Sequence, residues 1–129
     1  DDNYKSNKEN LIKNRGPDNT ISLSKFDKYY FTFHRLCIND LSENGNQPFE
    51  DDEAIVMCNG EIYNHKHLRD YLYKNYNKEI EWHSHSDTET LLNCISFMGM
   101  DKTLEMLDGM FAFAIFDTDC GEASLPGGK

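Results

Sequence analysis

The sequence predicts a layered α+β domain, and three stretches carry that expectation. Residues 54–58, Ala-Ile-Val-Met-Cys, are apolar and β-rich; they lead through Asn59-Gly60 into a helical apolar period beginning near Lys66, so strand, glycine turn and helix follow one another. Ser86-Asp87-Thr88-Glu89 fits a capping box, with Ser86 as N-cap and Glu89 three residues on, and opens a second helix that continues inward through Leu91, Leu92, Ile95 and Met98. Residues 110–116, Met-Phe-Ala-Phe-Ala-Ile-Phe, are apolar on both faces, and a strand covered on both sides belongs inside a layered structure.

Composition narrows the class. At 129 residues the chain is one domain or a piece of one, and 38% hydrophobic with 12% aromatic residues suits a packed core. A net charge of -10 argues against nucleic acid or an anionic membrane as partner. No apolar run approaches membrane-spanning length, and the polar start is neither signal peptide nor transit segment, so a cytoplasmic address is expected. Cys37, Cys58, Cys94 and Cys120 show no CxxC pairing, which suits free thiols in a reducing compartment.

In chain order, residues 1–10 read as a solvated lead-in, and Arg15-Gly16-Pro17-Asp18 as a turn. From Lys28 to Ile38 aromatic alternation predicts a half-buried strand that delivers Arg35 to its end. There the planar fork of Arg35 could grip a carboxylate bidentately or sit in an ordinary surface ion pair. Residues 39–53 form a polar loop containing Gln47-Pro48. At the strand-to-helix junction the Asn59 amide and the Gly60 N–H could aim at one developing negative charge, while a plain hairpin or cap also accounts for Asn-Gly.

The helix after Asn64 places Leu68, Tyr71, Leu72 and Tyr76 on one face and closes at Asn75-Tyr76-Asn77. Glu79 to His83 alternates like an edge strand. Asp87 falls in a first helical turn, where the dipole favours a carboxylate and a ligand ammonium could also bind. Residues 101–107 form a short helix; beyond it Phe111, Phe113 and Ile115 pack one way while Ala112 and Ala114 permit close approach on the other. Residues 118–129 lose all periodicity and read as a flexible tail or an appended remnant. The His65/His67 and His83/His85 pairs have a spacing that separates them on a helix, so no metal site is expected. There is no phosphate-cradling glycine loop and no Gly-x-Ser-x-Gly elbow.

Taken together, Arg15-Gly16-Pro17-Asp18, the run from His34 to Asp40, Gln47-Pro48, the run from Asn59 to His65, Ser86-Asp87-Thr88-Glu89 and the run from Leu107 to Ala114 resemble the glutaminase domain of glutamine-hydrolysing asparagine synthetase. That is a class II glutamine amidotransferase with an N-terminal nucleophile, and the motifs occur in the family's order over residues 11–117. The resemblance implies an Ntn-type four-layer αββα sandwich of two antiparallel sheets, here a partial domain without its first and last strands. It implies hydrolysis of glutamine to glutamate and ammonia for asparagine synthesis. By matched position Arg35 would hold the glutamine carboxylate with Leu36 and Ile38 beside it, Glu61 and Asp87 would hold the α-amino group, and Asn59 with Gly60 would stabilise the oxyanion. No cofactor is implied in this chain; ATP and magnesium belong to a synthetase domain, a partner in cis or in trans.

The sequence departs from the family at the nucleophile. The family uses an N-terminal cysteine whose α-amine is the base, whereas this sequence starts at Asp1 and has no cysteine before Cys37. Asn14 stands where the family has histidine and Cys37 where it has serine, and neither Cys37 nor Cys58 carries a free amine. The sequence as written is therefore expected not to turn over. The alternative is a nucleophile-less relative that binds glutamine or a protein partner.

Overall fold

The computed structural model describes residues 11, 13–25, 29–35, 42–118, 121, 123–124 and 126. The lead-in 1–10 and the candidate residues Leu36 and Ile38 lie outside them. Ile21 and Leu23 alternate with Ser22 and Ser24 in β1 (Asn19–Lys25), which pairs antiparallel with β2 (Tyr29–Arg35), Asn19 opposite Arg35 and Lys25 opposite Tyr29. β1 falls where no element was expected, although its period of two is that of a strand; β2 occupies the described part of the predicted 28–38 strand.

A second sheet has the order β3 (Phe49–Glu50), β4 (Ala54–Ile62), β5 (Gly109–Asp117) and β6 (Ala123–Ser124), with every neighbouring pair antiparallel. β4 and β5 pair along their whole length, from Ala54 opposite Asp117 to Ile62 opposite Gly109. The helices are α1 (His65–Asn75), α2 (Asp87–Met98) and α3 (Met100–Met106). Among the described residues no helix is long and apolar enough to cross a membrane.

Side-chain alternation assigns the two faces of the second sheet. Val56, Cys58, Ile62, Phe111, Phe113 and Ile115 form the main core with Leu68 and Leu72 of α1 and Leu91, Leu92 and Cys94 of α2. Each large apolar side chain buried there contributes about 1.5–3 kcal/mol. On the opposite face Ile55 and Phe116 are each 1% exposed, and the Phe31 ring of β2 meets Phe116 edge-on at 5.6 Å. Two antiparallel sheets therefore face each other beneath a layer of helices, in agreement with the expected Ntn-type sandwich; the described residues supply three of its four layers.

Burial of β5 on both faces holds at Phe116 and stops toward the other end, where Ala112 is exposed and Met110 is 65% exposed. Here the sheet face borders a cavity. Four further expectations differ. Asn59-Gly60, expected as the turn after a strand ending at Cys58, lies inside β4, where the two residues stay paired with Ala112 and Phe111 and the strand ends only at Ile62. Residues 79–83 form no strand, because the His83 N–H donates to Glu89 Oε1 at 2.8 Å and the neighbouring Trp82 ring packs on the Arg69 guanidinium at 4.0 Å. Ser86 caps α2 by accepting from Thr88 N at 3.2 Å, but Glu89 does not close the box. Its carboxylate instead takes Ser84 N at 2.8 Å and Ser84 Oγ at 2.6 Å, and Ser86 N turns to Ser84 Oγ at 3.2 Å. Within the 118–129 segment, read above as a tail, β6 joins the sheet and Pro126 O accepts from Phe113 N at 2.9 Å; β5 has an open edge, and backbone donors there find backbone acceptors.

Candidate functional site

The site grows from one edge of β4. A strand residue sends its N–H and C=O to the same edge, and the next residue sends them to the other. Ala54 O accepts from Asp51 N at the β3 side while Tyr63 N donates to Asp108 O at the β5 side, so the even-numbered residues of β4 face the β3 edge, Val56 among them. Cys58 follows it, but β3 has ended: the Gln47 side chain takes the strand's place, donating Nε2–H to Cys58 O at 3.0 Å and accepting from Cys58 N at 2.6 Å. Four residues farther, Ile62 N donates to Asp87 Oδ2 at 2.8 Å, which ties α2 to the strand. Between these two clamps comes Gly60, whose N–H by the same alternation points to the edge where β3 has run out and the cavity begins.

Only glycine fits there. Gly60 has φ 122°, and a Cβ would overlap Met110 O and come within 2.7 Å of Phe111 Cα. The next strand-end, β2, is backed by the Arg15–Asp18 turn. A Cβ on Gly16 would overlap His34 O, and Asp18 N donates to Arg35 O at 2.9 Å. The Arg35 guanidinium is buried, 7% exposed, and Nη1 donates to Ser42 O at 2.5 Å and Asn46 Oδ1 at 2.7 Å, so its plane is held by the 42–46 loop.

These elements enclose a cavity of about 390 Å³, within the usual range of small-molecule sites. Arg35, Asn59, Gly60, Glu61 and Asp87, singled out in the sequence, all line it, together with Arg15, Gln47, Cys58, Tyr63 and Met110. Charges of both signs thus meet at one cavity. Cys58 is no reservoir of thiolate: its thiol is pushed up to about 12, chiefly by burial and then by the Asp87 carboxylate, against a lowering hydrogen bond from Thr88. Burial likewise pushes Cys94, in the core, up to about 12.

Several residues that hold the site carry no signal of that role in the sequence. Arg69 of α1 donates Nε–H to Thr90 Oγ1 at 2.7 Å, Nη1–H to Ser84 O at 3.0 Å and Nη2–H to Ser86 O at 2.8 Å, shaping the loop that ends in Asp87. Asn64 joins the end of β4 to the turn before β5, donating Nδ2–H to Met106 O at 2.8 Å and accepting from Asp108 N at 3.0 Å. Arg69 and Asn64 look like surface polar residues in the sequence; no period or spacing marks them. For Gln47 the one signal was the Gln47-Pro48 pair itself.

His65, first residue of α1, has its Nδ1 buried without a hydrogen-bond partner. Burial lowers its pKa from the usual 6.5, with Arg69 and Lys66 adding to that and Asp87 and Glu61 opposing it. A helix N-terminus also disfavours a cation. Since the unfolded chain binds this proton more readily, stability contributed by neutral His65 is complete above 6.5 and is lost as pH falls through 6.5 toward the lower folded value. A His65→Asn variant is expected to lose less stability than the parent between about pH 7.5 and about pH 5.5, read from urea midpoints. Equal losses would remove His65 as the cause.

Comparison with known proteins gives the same direction. Residues 2–126 match the glutamine amidotransferase domain family. Asparagine synthetase (glutamine-hydrolyzing) 2 of Arabidopsis thaliana is 38% identical over 109 residues, covering 83% of this chain and 18% of the relative. A probable asparagine synthetase (glutamine-hydrolyzing) of Acanthamoeba polyphaga mimivirus is 40% identical over 111 residues, covering 82% and 19%. A putative asparagine synthetase (glutamine-hydrolyzing) 2 of Methanocaldococcus jannaschii is 38% identical over 129 aligned positions, covering 85% and 24%. The chain thus spans 18 to 24% of the length of these relatives. A match of this extent to the domain family, on a fold of two antiparallel sheets with a helical layer, establishes that the chain belongs to the glutamine amidotransferase domain family and is homologous to the glutaminase domains of asparagine synthetases.

Proposed function

We propose that the cavity binds glutamine and that the domain hydrolyses its side-chain amide to glutamate and ammonia, the ammonia serving asparagine synthesis by a synthetase domain in cis or in trans. One observation carries this reading: a guanidinium, two carboxylates and an open strand edge converge on a single cavity of about 390 Å³. An α-amino acid is a zwitterion, and a site for it needs both signs close together. Arg35 grips the α-carboxylate, as a planar fork suits. Glu61 and Asp87 take the α-ammonium. The side-chain amide then lies toward Asn59 and Gly60.

Attack on that amide gathers negative charge on its oxygen, and preorganised donors favour the charged state by roughly 3 kcal/mol each. The Asn59 amide and the Gly60 N–H are the donors in this reading. Neither Cys58 nor Cys94 supplies the attacking thiolate, since burial keeps both protonated at neutral pH. The family resemblance gives that step to a cysteine with a free α-amine. ATP and magnesium serve the synthetase reaction. The relatives' names, glutamine-hydrolyzing, support an amidotransferase above a relative that binds without turnover.

Titration calorimetry tests the binding. Glutamine is expected to bind, and its analogue lacking the α-amino group to bind at least about tenfold more weakly, the value of one charge-assisted contact. Arg35→Lys keeps the charge and loses the fork, and is expected to weaken glutamine by about 10- to 100-fold. Equal affinity of the two ligands, or an Arg35→Lys variant that binds as the parent does, would refute the assignment.

A further inference from the structure

We infer that Gln47 is a positioning residue for the Gly60 donor, an inference that rests on the glutamine reading of the cavity. Its side-chain amide makes a two-bond pair with the backbone of Cys58, 3.0 and 2.6 Å, of the kind a neighbouring strand residue would make. In register, Phe49 faces Val56, so Gln47 is the residue that a continued β3 would bring opposite Cys58. β3 instead stops at Phe49, and the side chain completes the ladder one step beyond.

The substitution of side chain for main chain has a geometric consequence. Had β3 run on as a strand, its next backbone groups would have closed over Gly60 and occupied the N–H. A side chain reaches Cys58 and goes no farther, so pairing on this edge ends two residues before Gly60. Gln47 is 9% exposed and lines the same cavity as Gly60. The peptide that follows Cys58 is thereby fixed on one side by Gln47 and, four residues on, by Asp87 at Ile62. The edge is rigid at both flanks and open at the middle. A donor preorganised in this way loses little freedom when a ligand oxygen arrives.

The test compares three variants of the chain by glutamine calorimetry, by thermal melting and by the position of the Gly60 amide cross-peak in nitrogen-15 NMR. Gln47→Met keeps the volume and removes both bonds; Gln47→Asn keeps the amide but is one methylene short, and serves if the methionine variant does not fold. Cys94→Ala in the core is the control for lost stability alone. Both Gln47 variants are expected to move the Gly60 cross-peak and to weaken glutamine at least about tenfold, whereas Cys94→Ala lowers the melting temperature with peak and affinity unchanged. A Gln47 variant with an unmoved Gly60 peak overturns the inference, and so does one with glutamine affinity within about twofold of the parent. If the parent itself binds no glutamine, the reading of the cavity fails, and the Gly60 peak alone decides the positioning role.

Discussion

Gly60→Ala is expected to destabilise the domain by about 2 to 6 kcal/mol, a large part of the roughly 5–15 kcal/mol that holds a domain of this size. The backbone contributes first: φ 122° lies outside the regions that an L side chain adopts, at about 1–3 kcal/mol. Steric overlap adds a similar amount, because the new methyl would run into Met110 O and stand 2.7 Å from Phe111 Cα, and overpacking of this kind costs about 1–3 kcal/mol. β5 cannot retreat without breaking the nine-residue ladder that pairs it with β4. The urea midpoint should fall accordingly, and glutamine binding should be lost even at low denaturant. A variant within about 0.5 kcal/mol of the parent would show that the close approach is not there.

Arg69→Ala is the second large effect, expected at about 3–5 kcal/mol. The guanidinium supports three acceptors at once, Thr90 Oγ1 and the carbonyls of Ser84 and Ser86, and stacks on Trp82. It also stands 3.9 Å from the Glu89 carboxylate, which is 5% exposed. Truncation leaves buried oxygens unsatisfied and that carboxylate with less positive charge beside it. The loop these bonds shape carries Asp87 into the cavity, so glutamine affinity should fall with stability. Arg69→Lys is expected to recover little, since an ammonium cannot span the three acceptors. If the lysine variant unfolds at the parent's midpoint, the fork geometry is not what matters.

Much of the scaffold was legible because it follows simple periods. α1, α2 and β5 are long, apolar and regular, and their limits lie within a residue or two of the expected ones, whereas β4 starts where expected but runs on through Asn59-Gly60 to Ile62. β1 has the right alternation in Ile21 and Leu23 but is diluted by serines and bounded by no strong turn signal. The 79–83 segment alternates correctly and still forms no strand, since tertiary partners at Glu89 and Arg69 take its backbone and its tryptophan. For Glu89 the local pattern named the helix start and mistook the partner: a carboxylate at N3 can fold back on its own cap or reach outward, and three donors at Ser84 and His83 outweigh one.

The cavity was legible by a different route. Arg35, Asn59, Gly60, Glu61 and Asp87 are far apart in sequence, and no periodicity brings them together; the family resemblance did, and the fold places all five on one wall or another of the same space. The supports behind them were not legible. Gln47, Asn64 and Arg69 act through hydrogen bonds between residues 11 to 44 apart in the chain, and such pairings have no local pattern to betray them.

A crystal structure of the chain soaked with glutamine decides whether this cavity holds one glutamine in one orientation. The α-carboxylate is expected on Arg35, the α-ammonium between Glu61 and Asp87, and the side-chain carbonyl oxygen within hydrogen-bond reach of Gly60 N–H and the Asn59 amide. Glutamine seated reversed in the cavity, or bound instead in the groove between Glu50, Glu81 and His83, would contradict that arrangement.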